Sequence, residues 1–108
     1  MDLIVNTGKL DLRRTVTWKG AVAADNPTLP RYAPVWSLVC ASIHVVGAGS
    51  ATLQGSNDGV NFVTMKDIAG DDIIVAAGAL IEFSSGVAFI KPIITGGPLD
   101  VIVTHWAG

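Results

Sequence analysis

The stretch Gly55-Ser56-Asn57-Asp58-Gly59 constrains the fold more than any other part of the chain. It sets two glycines around Asn and Asp, between the apolar-alternating runs 51–54 and 60–65. Gly59 can take a positive φ without a Cβ clash, and the Asn57 and Asp58 side chains can hydrogen-bond their own backbone inside a turn. Alternation on both flanks of such a cluster predicts a β-hairpin whose tip is built from Gly55, Asn57, Asp58 and Gly59.

The same pattern of short alternating runs and glycine-rich turns continues from Val35 onward. Strands are predicted near 35–46, 51–55, 60–66, 73–76, 79–84, 87–94 and 99–105, and no window of adequate length shows helical periodicity. In the first run, Trp36, Leu38 and Cys40 fall on one face and Val35, Val39, Ile43 and Val45 on the other, which is expected of a central or doubly covered strand. In the last, Leu99, Val101 and Val103 alternate with Asp100, Ile102 and Thr104, so one face is buried. Pro92 cannot donate to a ladder and is expected at a strand edge or a bulge. The economical packing of such strands is all-β: an antiparallel two-sheet sandwich of jelly-roll type, with a partly open barrel as the second choice.

Residues 1–34 read differently. Gly8, Gly20, Pro27, Pro30 and Pro34 break them up, leaving a short apolar stretch at Leu3 to Val5, a strand candidate at Thr15 to Trp18, and one helical turn at most at Ala21 to Ala24. The prolines push their neighbours toward extended geometry, so an extended N-terminal arm over 1–34 is expected to precede a sandwich domain over 35–108.

With 50% hydrophobic residues in 108, the chain can supply a core without metal or disulfide staples. Only 15% of residues are charged and the mean hydropathy is +0.52, so polar cover is scarce and burial between copies is expected. A net charge of -2 gives no argument for nucleic acid or membrane binding. The arm is mildly basic, with Lys9, Arg13, Arg14, Lys19 and Arg31 against Asp2, Asp11 and Asp25, whereas the body is acidic. Cys40 is the sole cysteine, which excludes an internal disulfide and reads as a buried thiol made in a reducing cytoplasm. The start of the chain lacks a signal-peptide pattern, and no run is long and apolar enough to cross a bilayer.

Candidate chemistry is sparse. His44 and His105 lie in apolar strands with no local spacing that would complete a metal site, and they read as structural or surface residues. No nucleophile elbow is present, so neither enzymatic activity nor a cofactor is expected. Asp67, Asp71 and Asp72, with Asp58 in the turn, do not match a calcium loop and read as solvated acids. Trp36 reads as core. Trp18 and Trp106, which as aromatic platforms would suit a sugar ring or nucleobase, read instead as interface candidates, together with Arg13, Arg14 and Arg31; the Arg13-Arg14 pair suits an acidic protein surface better than nucleic acid.

Three segments carry a resemblance: Ala51 to Phe62 (ATLQGSNDGVNF), Phe89 to Gly97 (FIKPIITGG) and Asp100 to Thr104 (DVIVT). Over roughly 35–105 they look like small β-sandwich virion proteins of tailed bacteriophages. The resemblance implies a structural protein of the virion, a capsid decoration (cement) protein on the outer head surface, made in the host cytoplasm. Its partners would be the major capsid protein and itself, as a homo-oligomer with a trimer favoured at threefold positions, the N-terminal arm reaching a neighbouring subunit or the shell. The turn with downstream Phe62 also resembles discoidin-like sugar-binding modules, which are longer and place tryptophan at that position. The alternatives are therefore a glycan- or receptor-binding module of a tail fibre or baseplate, and a head-tail connector or tail-tube protein.

Overall fold

The computed structural model describes residues 1–7, 13–28, 36–85 and 87–107. Seven strands run through it: β1 (Asp2–Thr7), β2 (Arg13–Ala21), β3 (Trp36–Ser56), β4 (Val63–Thr64), β5 (Ile74–Ala76), β6 (Leu80–Ser85) and β7 (Phe89–Ala107). A single 3-10 turn, Ala23–Asp25, follows β2, with the Val22 N–H donating to Asp25 Oδ2 at 2.8 Å. All pairings are antiparallel, in the order β1-β2-β7-β3-β4, with β5 and β6 also pairing β3.

β3 and β7 form the frame. They pair from Trp36↔Ala107 to Ser56↔Phe89, and β3 alone has 21 residues. Drawn straight at ~3.3 Å per residue it would reach roughly 69 Å, yet the molecule measures 34 Å along its longest axis. The ribbon therefore folds over on itself, at a corner made by Gly47 and Gly49 on β3 and Gly96 and Gly97 on β7, all at positive φ. One layer then holds β1, β2, residues 99–107, residues 36–46 and β6. The other holds residues 89–96, residues 49–56, β5 and β4. The expected antiparallel sandwich is thus what the chain forms, with both layers cut from the same two long strands.

Backbone approaches closely at the corner. A Cβ on Gly49 would lie 2.1 Å from the Thr95 carbonyl oxygen, and one on Gly47 2.6 Å from that of Pro98. Between the pairs Gly47↔Leu99 and Gly49↔Gly96, β7 spends one more residue than β3. That bulge reverses the alternation of β7: Ile90, Pro92 and Ile94 are buried before it, Leu99, Val101, Val103 and His105 after it. β3 keeps one parity throughout, burying Ala41, Ile43 and Val45, then Ala51 and Leu53. Side chains of both layers meet in one core, with Val16, Trp18 and Ala21 from β2 and Ile73 and Val75 beside β4 and within β5.

Most of the expected strands are found, with 36–46 and 51–55 joined into β3 and the runs from 89–94 and 99–105 joined into β7, but the run expected over 60–66 is a strand only at β4, Val63–Thr64. Residues 36–46 form a central strand between β7 and β6. Pro92 pairs Leu53 in residues 89–96, which have no strand on their other side among the described residues, so it stands at the expected edge. The N-terminal segment is extended, but β1 and β2 form a hairpin bonded into the sheet and β2 supplies core residues, instead of an arm lying apart from the body. The alternation Arg14, Val16, Trp18 is the reason: it presents an inward face that must be covered. Leu29 to Val35, including Arg31, and the side chains of Trp36, Cys40 and Trp106 lie outside the described residues.

Candidate functional site

The hairpin tip is assembled as its composition dictates. Asp58 Oδ1 accepts the Val60 and Asn61 N–H groups, each at 2.8 Å, and the Ser56 hydroxyl at 2.8 Å, while Oδ2 accepts Asn61 Nδ2 at 2.7 Å. The Ser56 hydroxyl oxygen accepts from Asp58 N and Gly59 N. These donors, the Asn61 and Val60 backbone N–H groups above all, hold the Asp58 carboxyl well below the usual carboxylate range. Gly59 has φ 78°, and a Cβ there would press on the Phe89 ring at 3.2 Å. Asn57 Oδ1 accepts the Ala88 N–H at 3.3 Å. The tip is a structural turn, and its polar groups are spent on bonds within the turn and on the Ala88 N–H.

A second polar pair is interior. Arg14 on β2 and His105 on β7 are register partners and face the core side, 2% and 1% exposed. Arg14 Nε donates to His105 Nε2 at 2.8 Å, which requires the lone pair on that nitrogen and hence a neutral ring protonated at Nδ1. Trp18 is 1% exposed on the same face. Arg14 and Trp18, expected at an interface, are therefore parts of the interior. Arg13, the neighbour on the opposite face, is exposed. His44 is half-buried on the outer face of residues 36–46.

The acids expected to be solvated are exposed and have local duties. Asp67 Oδ1 accepts the Ala69 and Asp71 N–H groups, at 2.9 and 3.0 Å, closing the 67–71 turn, and Asp72 pairs with Lys66. Among the described residues, no group of three or more His, Cys, Asp or Glu side chains gathers as a metal site. Phe62 carries the Lys91 ammonium 4.3 Å from its ring centre, so one face of that aromatic is occupied.

Among the described residues, a groove of about 780 Å³ opens where the layers part, between β4 and β5 on one wall and β6 on the other. Val63, Met65, Ile73, Ile74, Ile81 and Phe83 line it, with Lys66, Asp72 and Glu82 at its polar border. Ile68, at the tip of the 67–70 turn, lines it too and is 107% exposed, and Val63 is 70% exposed. Sequence reasoning missed this site. Its one local signal is Ile68, an isoleucine inside the acidic turn Asp67-Ile68-Ala69-Gly70-Asp71, where a solvated loop has no use for it.

Among the described residues no helix is long and apolar enough to cross a membrane. No protein-family model and no curated protein matches the chain. Solved structures do: Fe(II) HppE, at TM-score 0.46 and 10% identity over 97% of this chain and 56% of that one; the EutQ protein of Clostridium difficile, at TM-score 0.40 and 10% identity over 88% and 55%; and Drosophila melanogaster CENP-C bound to CAL1, at TM-score 0.46 and 10% identity over 97% and 80%. The chain spans about half the length of the first two. Likenesses at this level carry nothing about activity or partners, and the sandwich rests on the strand pairings described above.

Proposed function

We propose that this protein is a structural component of a tailed-phage virion, a decoration protein that docks on the outside of an assembled head and reinforces it by bridging capsid subunits. The observation that carries the reading is the apolar groove face. Val63, Ile68 and Ile74 stand exposed along one groove of a small sandwich whose sheet interior is already filled. A free monomer gains nothing from holding them in water, whereas each such side chain contributes ~1.5–3 kcal/mol when fully covered by a partner. Rigid mounting favours the same use: the 67–71 turn is bonded from within by Asp67, so Ile68 is presented without the ordering cost a mobile loop would add. On a shell with many equivalent sites, modest affinity per copy sums to substantial reinforcement.

The glycan-binding alternative is weakened at its aromatic platforms, since Trp18 is interior and one face of Phe62 is covered by Lys91.

The test is quantitative mass spectrometry of purified particles from the source, with copies scaled to the major shell protein. Copy numbers comparable with the shell protein are expected, a handful of copies points to a tail or fibre part, and absence overturns the virion reading. Binding of the purified protein to particles lacking it should weaken at least tenfold in Ile68→Glu. Unchanged binding by that variant overturns the assignment of the groove face.

A further inference from the structure

We infer that β1 is a self-pairing edge, through which two copies of the chain join their sheets antiparallel about a twofold axis at Ile4. This inference does not depend on the virion reading.

The sheet ends at β1, which pairs β2 on one side and has no strand on the other among the described residues. Every second residue of Asp2–Thr7 thus turns a backbone N–H and C=O outward, a template for another strand. Chains that must stay apart blunt such edges with proline, lysine, bulges or very short strands. The opposite layer does so: the free side of residues 89–96 carries Lys91 and Pro92. β4 and β5 are short, with 2 and 3 residues. β1 has 6 residues in unbroken register with β2, and Asp-Leu-Ile-Val-Asn-Thr contains neither proline nor lysine. It also leaves Leu3 49% and Ile4 42% exposed.

The strand's own sequence selects its occupant. The register with β2 places Leu3 and Val5 beside Trp18 and Val16, on the core side, and Asp2, Ile4 and Asn6 on the outer side. In an antiparallel pair centred on Ile4, Leu3 meets the partner's Val5, Ile4 meets the partner's Ile4, and Asp2 meets the partner's Asn6. Apolar then faces apolar on both sides, and the strand's one charged side chain meets an amide donor and never its own copy. The pairing also continues an existing layer: Val5 already packs on the core, and Leu3 is half-exposed because the sheet stops beside it. A second β1 supplies the missing neighbour and extends the same apolar face across the junction.

Two measurements test this. First, light scattering on the purified protein at tens of micromolar should give twice the 11.2 kDa chain mass, or a higher even multiple. Ile4→Lys, an edge-blunting change on the outer face, should weaken association at least tenfold with thermal unfolding of the dissociated chain unchanged. A monomeric or purely trimeric wild type, or a variant that associates as well as wild type, overturns the proposal. Second, the register is read by cross-linking in a Cys40→Ser background that unfolds as wild type does. Residues facing each other across a strand pair have Cβ atoms ~4.5–5.5 Å apart, which a small shift of an edge pair brings to the ~3.5–4.5 Å of a disulfide. Ile4→Cys should therefore give a covalent dimer under mild oxidation. Asn6→Cys, displaced along the strand from its own copy by roughly 13 Å, should give far less. No cross-link with Ile4→Cys, or equal cross-linking by both, overturns the twofold register.

Discussion

Asp58 shows how much one side chain can organise when several N–H groups converge on it. Its carboxyl is held well below the ordinary value of 3.8 by the Asn61 and Val60 backbone donors, then by the Asn61 side chain and Ser56. A carboxylate lowered in the folded state stabilises it fully above the unfolded value and loses that contribution as pH falls through the folded one. Asp58→Ala should therefore lower the thermal midpoint by a constant amount between pH 5 and 8, and the gap to wild type should narrow below about pH 4; a gap that widens in acid would contradict this. The interior pair invites a different cycle. Arg14→Met keeps the stem volume but removes the donor to His105 Nε2, and should cost about 1–3 kcal/mol in urea unfolding. Adding His105→Phe should recover part of that loss, because two apolar partners leave less polar surface stranded than one. Of these two sites, sequence reasoning could reach only the first. The turn is local, whereas Arg14 and His105 stand at the two ends of the chain and become partners only through the register of β2 on β7.

The glycines sort by what surrounds them. Gly49 and Gly70 both have positive φ, 121° and 86°, but a Cβ on Gly49 meets the Thr95 carbonyl oxygen at 2.1 Å, while one on Gly70 meets nothing within 4 Å. Gly70→Ala should cost only the left-handed strain, about 1–2 kcal/mol. Gly49→Ala should cost well above that and leave the chain largely insoluble or unfolded, as circular dichroism on the soluble fraction would show. The corner also explains what could be read of the strands and what could not. Alternation and turn residues place nearly every strand, since each depends on neighbours two positions away. That Gly47 to Gly49 and Gly96 to Gly97 are bends within continuous strands, and not gaps between them, depends on a ladder closed across the molecule. Likewise the prolines and glycines of residues 1–34 speak for extended backbone but not for what it lies against. The inward alternation of Arg14, Val16 and Trp18 was the available clue to a sheet strand.

For the molecule as a whole, the division of labour is between a filled interior and an open groove. Leu53, fully buried in the core, should cost about 2–5 kcal/mol as Leu53→Ala. Ile68→Ser, on the groove rim, should leave stability within about 0.5 kcal/mol of wild type while reducing aggregation and partner binding. The groove was illegible beforehand because its walls come from three separate segments, around Met65, Ile74 and Phe83, that only the fold-over of β3 brings together. The order of strands has one more consequence. β7 follows every other strand in the chain yet lies between β2 and β3 in the sheet. As the polypeptide leaves the ribosome, β2 can pair β1 at once but must wait for residues 99–106 before it finds its neighbour on the other side. Folding is thus deferred until β7 has been made, a topology of distant contacts that closes in milliseconds to seconds, and a messenger truncated before β7 yields no partial sandwich, only two halves of a sheet with the middle missing.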